Sequence, residues 1–430
     1  MRRRFPRILI LAVPLLCLLT ILIYNIPPVN DRLAWRVDNF IAGIKYAIHP
    51  PEDVVFVPQE TAIPTVQATL PVLTFTPTLT STRQPTIPGP TSTPLPSPTP
   101  TLTPTSIPAS VRLKGIIHEY QKWNNCGPAT LAMALSFWGW QGDQRDTASY
   151  MKPNPRDKNV MPYEMQAFIE GNTSLKSILR YGGDLELLKR LIAAGFPPVI
   201  ERGFEPDPDK GWMGHFNVFS GYDDVKKIFI AQDSYIMPDL PIPYKEVEEY
   251  WQHFNYLYLV IYPAEREAEV FDILGPQVEE IFNLQYSAQI ASDEIYSLGG
   301  RGQFFAWYNR GTNLVKMQDY AGAATAYDQA FAVYPTIPEK QRPWRMLWYQ
   351  TGPYFAYFYT GRYNDVITLA STTIANSNEP AIEESFYWRG MARAAIGDTS
   401  GAIEDYKESL KWHPDFAPGL EQLKALGVEP

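Results

Sequence analysis

Cys126 is the residue whose surroundings first suggest chemistry. The 430-residue chain has two cysteines, and the other, Cys17, lies in an apolar N-terminal run. Cys126 sits in HEYQKWNNCGPATLAMALSFWGW, at the head of a stretch with helical spacing. Asn125 suits an N-cap, and Pro128 suits a first turn, where its missing N–H needs no partner. Leu131, Ala134, Leu135 and Trp138 would form the face that anchors this helix in a core. A thiol at the helix N-terminus feels the positive end of the dipole, which favours the thiolate, and the thiolate is the nucleophile. Gln121, five residues upstream, is close enough to aim its amide at the same spot. The bland alternative is an inert, buried cysteine.

A nucleophile of this kind needs a base, and the base needs an orienting group. His215 opens the strand-like HFNVFSGY, and Asp233 closes KKIFIAQDSY. The turn signal between them is DDVK. If the two form a hairpin centred on Asp224, His215 faces Asp233 across the ladder at roughly 5 Å between Cβ atoms. A one-residue bulge would break that pairing. His118, His253 and His413 are weaker candidates, and His49 is remote. The five histidines form no HExxH pair and partner no CxxC, so no metal and no cofactor is expected. EPDPDKGW (residues 205–212) resembles a calcium loop only superficially, because its prolines spoil the ligand spacing.

QKWNNCGPATLAMAL, GHFNVFSGYDD and AQDSY together resemble the papain-like cysteine peptidases that process bacteriocin leaders at double-glycine sites, and their relatives without a transporter. The resemblance covers about residues 111–263. It implies a papain-like domain with Cys126 as nucleophile, His215 as general base and then acid, and Asp233 orienting His215. Gln121 would donate to the oxyanion, with the Cys126 N–H as second donor. Leader processing itself is not carried over, since those enzymes are fused to transporters and act inside the cell. Asn125 also replaces the aspartate often found before the cysteine.

These residues require a scaffold. Helical spacing covers Cys126–Trp138, Met161–Glu170 and Asp184–Ala194. Strand composition covers Pro197–Glu201, His215–Tyr222, Lys227–Gln232 and Tyr256–Tyr262. Helices first and strands later indicate an α+β domain over residues 111–263. Residues 264–300 read as a connecting helical segment. In residues 301–426, Gly311, Ala323, Tyr327, Ala330 and Pro335 recur as Gly390, Ala402, Tyr406, Ser409 and Pro414, each offset by 79 residues. That offset is two periods of about 34 residues plus a short insertion. The pattern resembles tetratricopeptide repeats and implies an all-α solenoid. Residues 348–374 look like a degraded middle copy, with Pro353 inside its first helix.

Upstream, Arg2, Arg3, Arg4 and Arg7 precede the apolar run Ile8–Tyr24. Seventeen helical residues rise roughly 25 Å, near the lower limit for a membrane span. A cleaved signal peptide is the other reading, but no A-x-A site follows. Residues 1–26 are therefore expected to be an uncleaved transmembrane anchor, with the basic end cytoplasmic and the later domains outside. Residues 27–60 form a juxtamembrane segment; an amphipathic helix over Asn30–Ile48 would lie on the membrane or pack on the protein. Residues 61–110 are almost entirely Thr, Pro and Ser and are expected to be a disordered linker, a stalk. With net charge −9 and no basic patch, nucleic acid is excluded as a partner. The expected partners are a peptide or protein substrate, a protein bound by the repeats, and the membrane. Peptide-bond hydrolysis is the leading reading. The alternatives are a spent papain-like scaffold that binds proteins through its repeats, and acyl transfer or amide hydrolysis on cell-wall components.

Overall fold

Residues rich in β-branched and aromatic side chains between Ser110 and Pro263 build a seven-stranded sheet in which every pairing is antiparallel. The computed structural model describes residues 15, 18, 19, 22 and 37, and residues 40–59, 107–206 and 210–430. Most of the expected membrane anchor and nearly all of the Thr/Pro/Ser-rich segment lie outside these. Among the described residues, no helix is long and apolar enough to cross a membrane.

The strands are β1 (Ser110–Arg112), β2 (Leu175–Arg180), β3 (Val199–Phe204), β4 (Met213–Asp223), β5 (Ile228–Gln232), β6 (Leu240–Pro243) and β7 (Tyr258–Pro263). They run in the order β2-β7-β3-β4-β5-β6. The long β4 pairs with β3 through Met213–Val218 and with β1 through Gly221–Asp223. Helix Cys126–Phe137 packs Leu131, Ala134 and Leu135 on one face, against Phe216, Val218, Leu259 and Ile261. Helices Leu185–Ala193 and Tyr244–Trp251 cover the other face, against Phe219, Phe229 and Val260. With both faces covered, the central strands are buried almost throughout, polar residues included. The short β1, β2 and β6 escaped the compositional reading.

From Glu267 onward the described chain contains no strand. The long helix Glu280–Ser297 packs on Gly300–Lys316, which pairs with Tyr320–Val333. Further on, Glu383–Ala395 pairs with Thr399–Trp412. The two pairs repeat one another in detail. A Cβ at Gly311 would meet the Tyr327 ring at 2.7 Å, and one at Gly390 would meet the Tyr406 ring at 2.7 Å. Asp319 caps its helix through the Gly322 N–H, as Asp398 does through the Gly401 N–H. The middle pair is Gly352–Tyr359 and Tyr363–Asn376. Pro353 lies in the first turn of its helix, where proline is tolerated, and not in the interior as the spacing suggested.

The helical region shares a core with the sheet domain. Trp212 and Phe254 join Phe304, Phe305 and Tyr308 in one cluster. Asn255 and Asn313 exchange side-chain amide hydrogen bonds at 2.9 and 3.3 Å, and Ser287 donates to Asn255 at 2.9 Å. Residues 40–59 dock on the helical region from the N-terminal side. Phe56 inserts beside Phe331 at 4.9 Å between ring centroids. The Gln59 N–H donates to Asp365 at 2.8 Å, and the Lys45 ammonium donates to the carbonyls of Ala375 and Ser377.

Candidate active site

Cys126 is the first residue of its helix, so its own N–H has no intrahelical acceptor. Asn125 precedes it without capping it. The Asn125 side chain instead accepts from Lys152 at 3.3 Å and donates to Gln144 at 3.4 Å. The capping role expected from sequence is therefore replaced by a brace between the cysteine loop and the following helix. The buried Lys152 also donates to the Asn124 carbonyl at 2.9 Å. Burial lowers its ammonium to about 8.

His215 is the third residue of β4, and its ring stacks on Phe204 of β3 at 4.4 Å. Asp233 follows the last residue of β5. The two are not directly opposed across the ladder as the hairpin reading required. Asp223 pairs with Ile228, which centres the turn between Val225 and Lys226 and not on Asp224, and beyond a bulge between Phe219 and Gly221, Val218 pairs with Gln232. The side chains meet nonetheless, at 3.1 Å from His215 Nε2 to Asp233 Oδ2. Asp233 is fully buried and saturated with donors. Its Oδ1 accepts from the N–H groups of Tyr235 and Ile236 at 2.8 and 2.7 Å, and Oδ2 also accepts from Asn217 at 2.9 Å. Asn217 is held in turn by Arg202 Nε at 2.9 Å. The His215 side chain has one more hydrogen-bond partner, the Cys126 thiol.

The electrostatics follow from these contacts. Burial would raise the Cys126 pKa, but hydrogen bonding and charge from His215, a hydrogen bond from the Phe216 N–H and the Lys152 charge together lower it. Burial would lower His215, but Asp233 and the thiolate raise it to about 9. Burial also works against the Asp233 charge, yet His215, the Ile236 N–H and Asn217 hold it well below the usual carboxylate range. All three shifts favour a thiolate–imidazolium pair backed by a carboxylate at neutral pH.

Gln121 is tied to the residue after Asp233. Its N–H donates to the Ser234 carbonyl at 2.8 Å, and its side-chain oxygen accepts from the Ser234 hydroxyl at 2.9 Å. That fixes the amide so that its NH2 group is the end left to donate. His118, set aside on sequence, reaches the Asp233 carbonyl at 2.9 Å through Nε2. His253 is a buried packing residue: its Nδ1 accepts from Trp212 at 3.1 Å, its ring stacks on Phe305 at 3.8 Å, and burial keeps it uncharged. Trp212, just before β4, is fully buried in the core.

Three neighbours were not found from sequence. Asn217 lies two residues after His215 on the same strand, so strand periodicity could have flagged it. Glu201 lies in the buried strand β3; burial and the Cys126 thiolate raise its pKa, and its Oε1 has no hydrogen-bond partner. A glutamate inside an apolar run was the available signal. Tyr349 comes from the helical region and left no local signal. It is within electrostatic reach of Cys126 and Glu201, and it accepts from the Gly214 N–H, one residue before His215. A cavity of about 450 Å³ is lined by Arg202, Phe204, Glu205, Glu246 and Tyr250 among others. Among the described residues, the donors clustered closely enough to hold a metal ion do not include Cys126, His215 or Asp233.

The chain thus holds an α+β domain with an antiparallel sheet, a cysteine at a helix head and an imidazole–carboxylate pair on the sheet, followed by a helical region. Residues 113–259 match the model of the Peptidase_C39 like family. Among solved structures, a C39-like peptidase from Bacillus anthracis is similar over 35% of this chain and 96% of its own, at 19% identity and TM-score 0.30. A double glycine motif protease from an AMS/PCAT transporter, in complex with its leader peptide, is similar over 36% and 95%, at 21% identity and TM-score 0.28. Xylellain, a cysteine protease from Xylella fastidiosa, is similar over 37% and 87%, at 15% identity and TM-score 0.29. No curated protein matches the chain.

Proposed function

We propose that this protein is a cysteine peptidase that hydrolyses peptide bonds through Cys126, His215 and Asp233. The observation that carries the reading is the hydrogen-bonded line from the Cys126 thiol through His215 to the donor-saturated Asp233. The Cys126 thiolate attacks the scissile carbonyl carbon. The resulting oxyanion is held by the Cys126 N–H and the Gln121 amide. His215 gives its proton to the departing amine, leaving a thioester on Cys126. It then takes a proton from water, whose oxygen attacks the thioester carbonyl, and the acid product leaves with the thiolate restored. Asp233 stays ionised and keeps the imidazole in place. The cavity lined by Phe204 receives a substrate side chain. Tetratricopeptide-like repeats bind substrate or a protein partner, and the N-terminal segment anchors the chain in the membrane with the later domains outside the cytoplasm.

Mass-mapped alkylation of Cys126 with iodoacetamide tests the site in the full chain. Reaction at pH 6 that is lost in His215→Ala is the expected result. A thiol that reacts only near its ordinary pKa of about 8.5 in both proteins would refute the assembled pair. Cys126→Ala should also abolish release of any peptide product. One observation favours a second reading, an inactive protein-binding scaffold: Tyr349 from the helical region lies within reach of the thiol. A Cys126 inert at every pH would select it.

A further inference from the structure

Three metal-ligand side chains from distant parts of the chain meet where the sheet domain abuts the helical region. Asp157 lies in the loop between helices Gln144–Met151 and Pro162–Asn172. Glu383 is the first residue of Glu383–Ala395, and His413 caps the end of Thr399–Trp412. One donor atom from each lies within 4.8 Å of the others. Asp157 and Glu383 are each 4% exposed. His413 Nδ1 stands 2.9 Å from Glu383 Oε1. The second Glu383 oxygen, Oε2, is buried without any hydrogen-bond partner. An orphaned carboxylate oxygen in a buried site is costlier than an orphaned neutral group, so something should fill its lone pairs.

Charge points the same way. Asp157, Glu164, Glu383 and Glu384 interact electrostatically with one another, and the cations facing them are Lys152 and His413. Arg156, nearby, is engaged by Glu379. A plain His413–Glu383 ion pair leaves the orphaned oxygen in place.

We propose that Asp157, Glu383 and His413 bind one divalent transition-metal ion of the Zn²⁺ class. One imidazole and two carboxylates form a mixed nitrogen–oxygen set, which suits zinc and its neighbours better than calcium or magnesium with their all-oxygen shells. Bonds of about 2.0–2.2 Å would draw the three donors to within about 3.5 Å of one another. The ion would thereby clamp the helical region onto the 152–161 loop. Lys152, on the same loop, braces the residues before Cys126. The site does not depend on the peptidase reading.

The test uses the full chain carrying Cys126→Ala, so that the thiol cannot capture the ion. After stripping with chelator and dialysis against Zn²⁺, one zinc per chain is expected, with a rise in Tm on reloading. Glu383→Gln and His413→Ala should each cut retained zinc at least tenfold and abolish the Tm rise. The His413 side chain is partly exposed, so its variant should fold even if Glu383→Gln does not. Loading Co²⁺ into the unmutated site should give a visible absorption band, which needs no variant at all. Zinc below stoichiometry, zinc retained equally by both variants, or binding of Ca²⁺ in preference to Zn²⁺ would overturn the proposal.

Discussion

Asp233 accepts four hydrogen bonds, and that saturation sets how the catalytic histidine titrates. His215 is held at about 9, above its ordinary value near 6.5. A raised pKa means that the imidazolium's contribution to stability is whole below about pH 6.5 and is lost as pH rises through about 9. The general acid disappears over the same range. For a peptide substrate, kcat/KM should therefore fall on the alkaline side with an apparent pKa near 9. In Asp233→Asn that limb should move to lower pH as activity drops, and an unmoved limb would remove Asp233 from the mechanism. Asn217→Ala takes one donor from the buried carboxylate and orphans Arg202 Nε. A loss of about 1–3 kcal/mol is expected in chemical denaturation, with a smaller acid shift of the same limb.

At the scale of elements, the N-terminus of one helix and the near ends of β4 and β5 supply the reacting groups. Gly214 on β4 touches the helical region: an added Cβ would lie 2.7 Å from Phe254 and 2.8 Å from Tyr349. Gly214→Ala should therefore cost about 1–3 kcal/mol through overpacking, read as a lower Tm, and should slow Cys126 alkylation because His215 is the next residue. The elements also mark how far the sequence could be read. The helix at Cys126 and the strands bearing His215 and Asp233 were legible because turn residues and apolar runs are local signals. The hairpin register was not, since the polar turn residues allow several centres and the pairing settles between Val225 and Lys226 and not on Asp224. Lys152, Tyr349 and the trio Asp157, Glu383 and His413 act only through tertiary packing. No spacing rule joins residues separated by more than 200 positions.

For the whole molecule, the decisive contacts lie where the N-terminal segment docks on the helical region. Phe56 is 7% exposed among Phe331 and Tyr357. Phe56→Ala should cost about 3–5 kcal/mol of that docking, seen as faster hydrogen exchange over residues 40–59. The described residues on either side of the Thr/Pro/Ser-rich segment are both tied down. On one side Gln59 is bonded to Asp365. On the other, the Pro108 carbonyl accepts from the Tyr222 hydroxyl at 2.6 Å, and the Ala109 carbonyl accepts from the Asp224 N–H at 2.9 Å. Sheet and helices share a core, so Gln59 and Pro108 are fastened to one body. A cut anywhere in the chain between those two residues should therefore shed nothing, and the two fragments should separate only in denaturant, or once Phe56→Ala has loosened the grip.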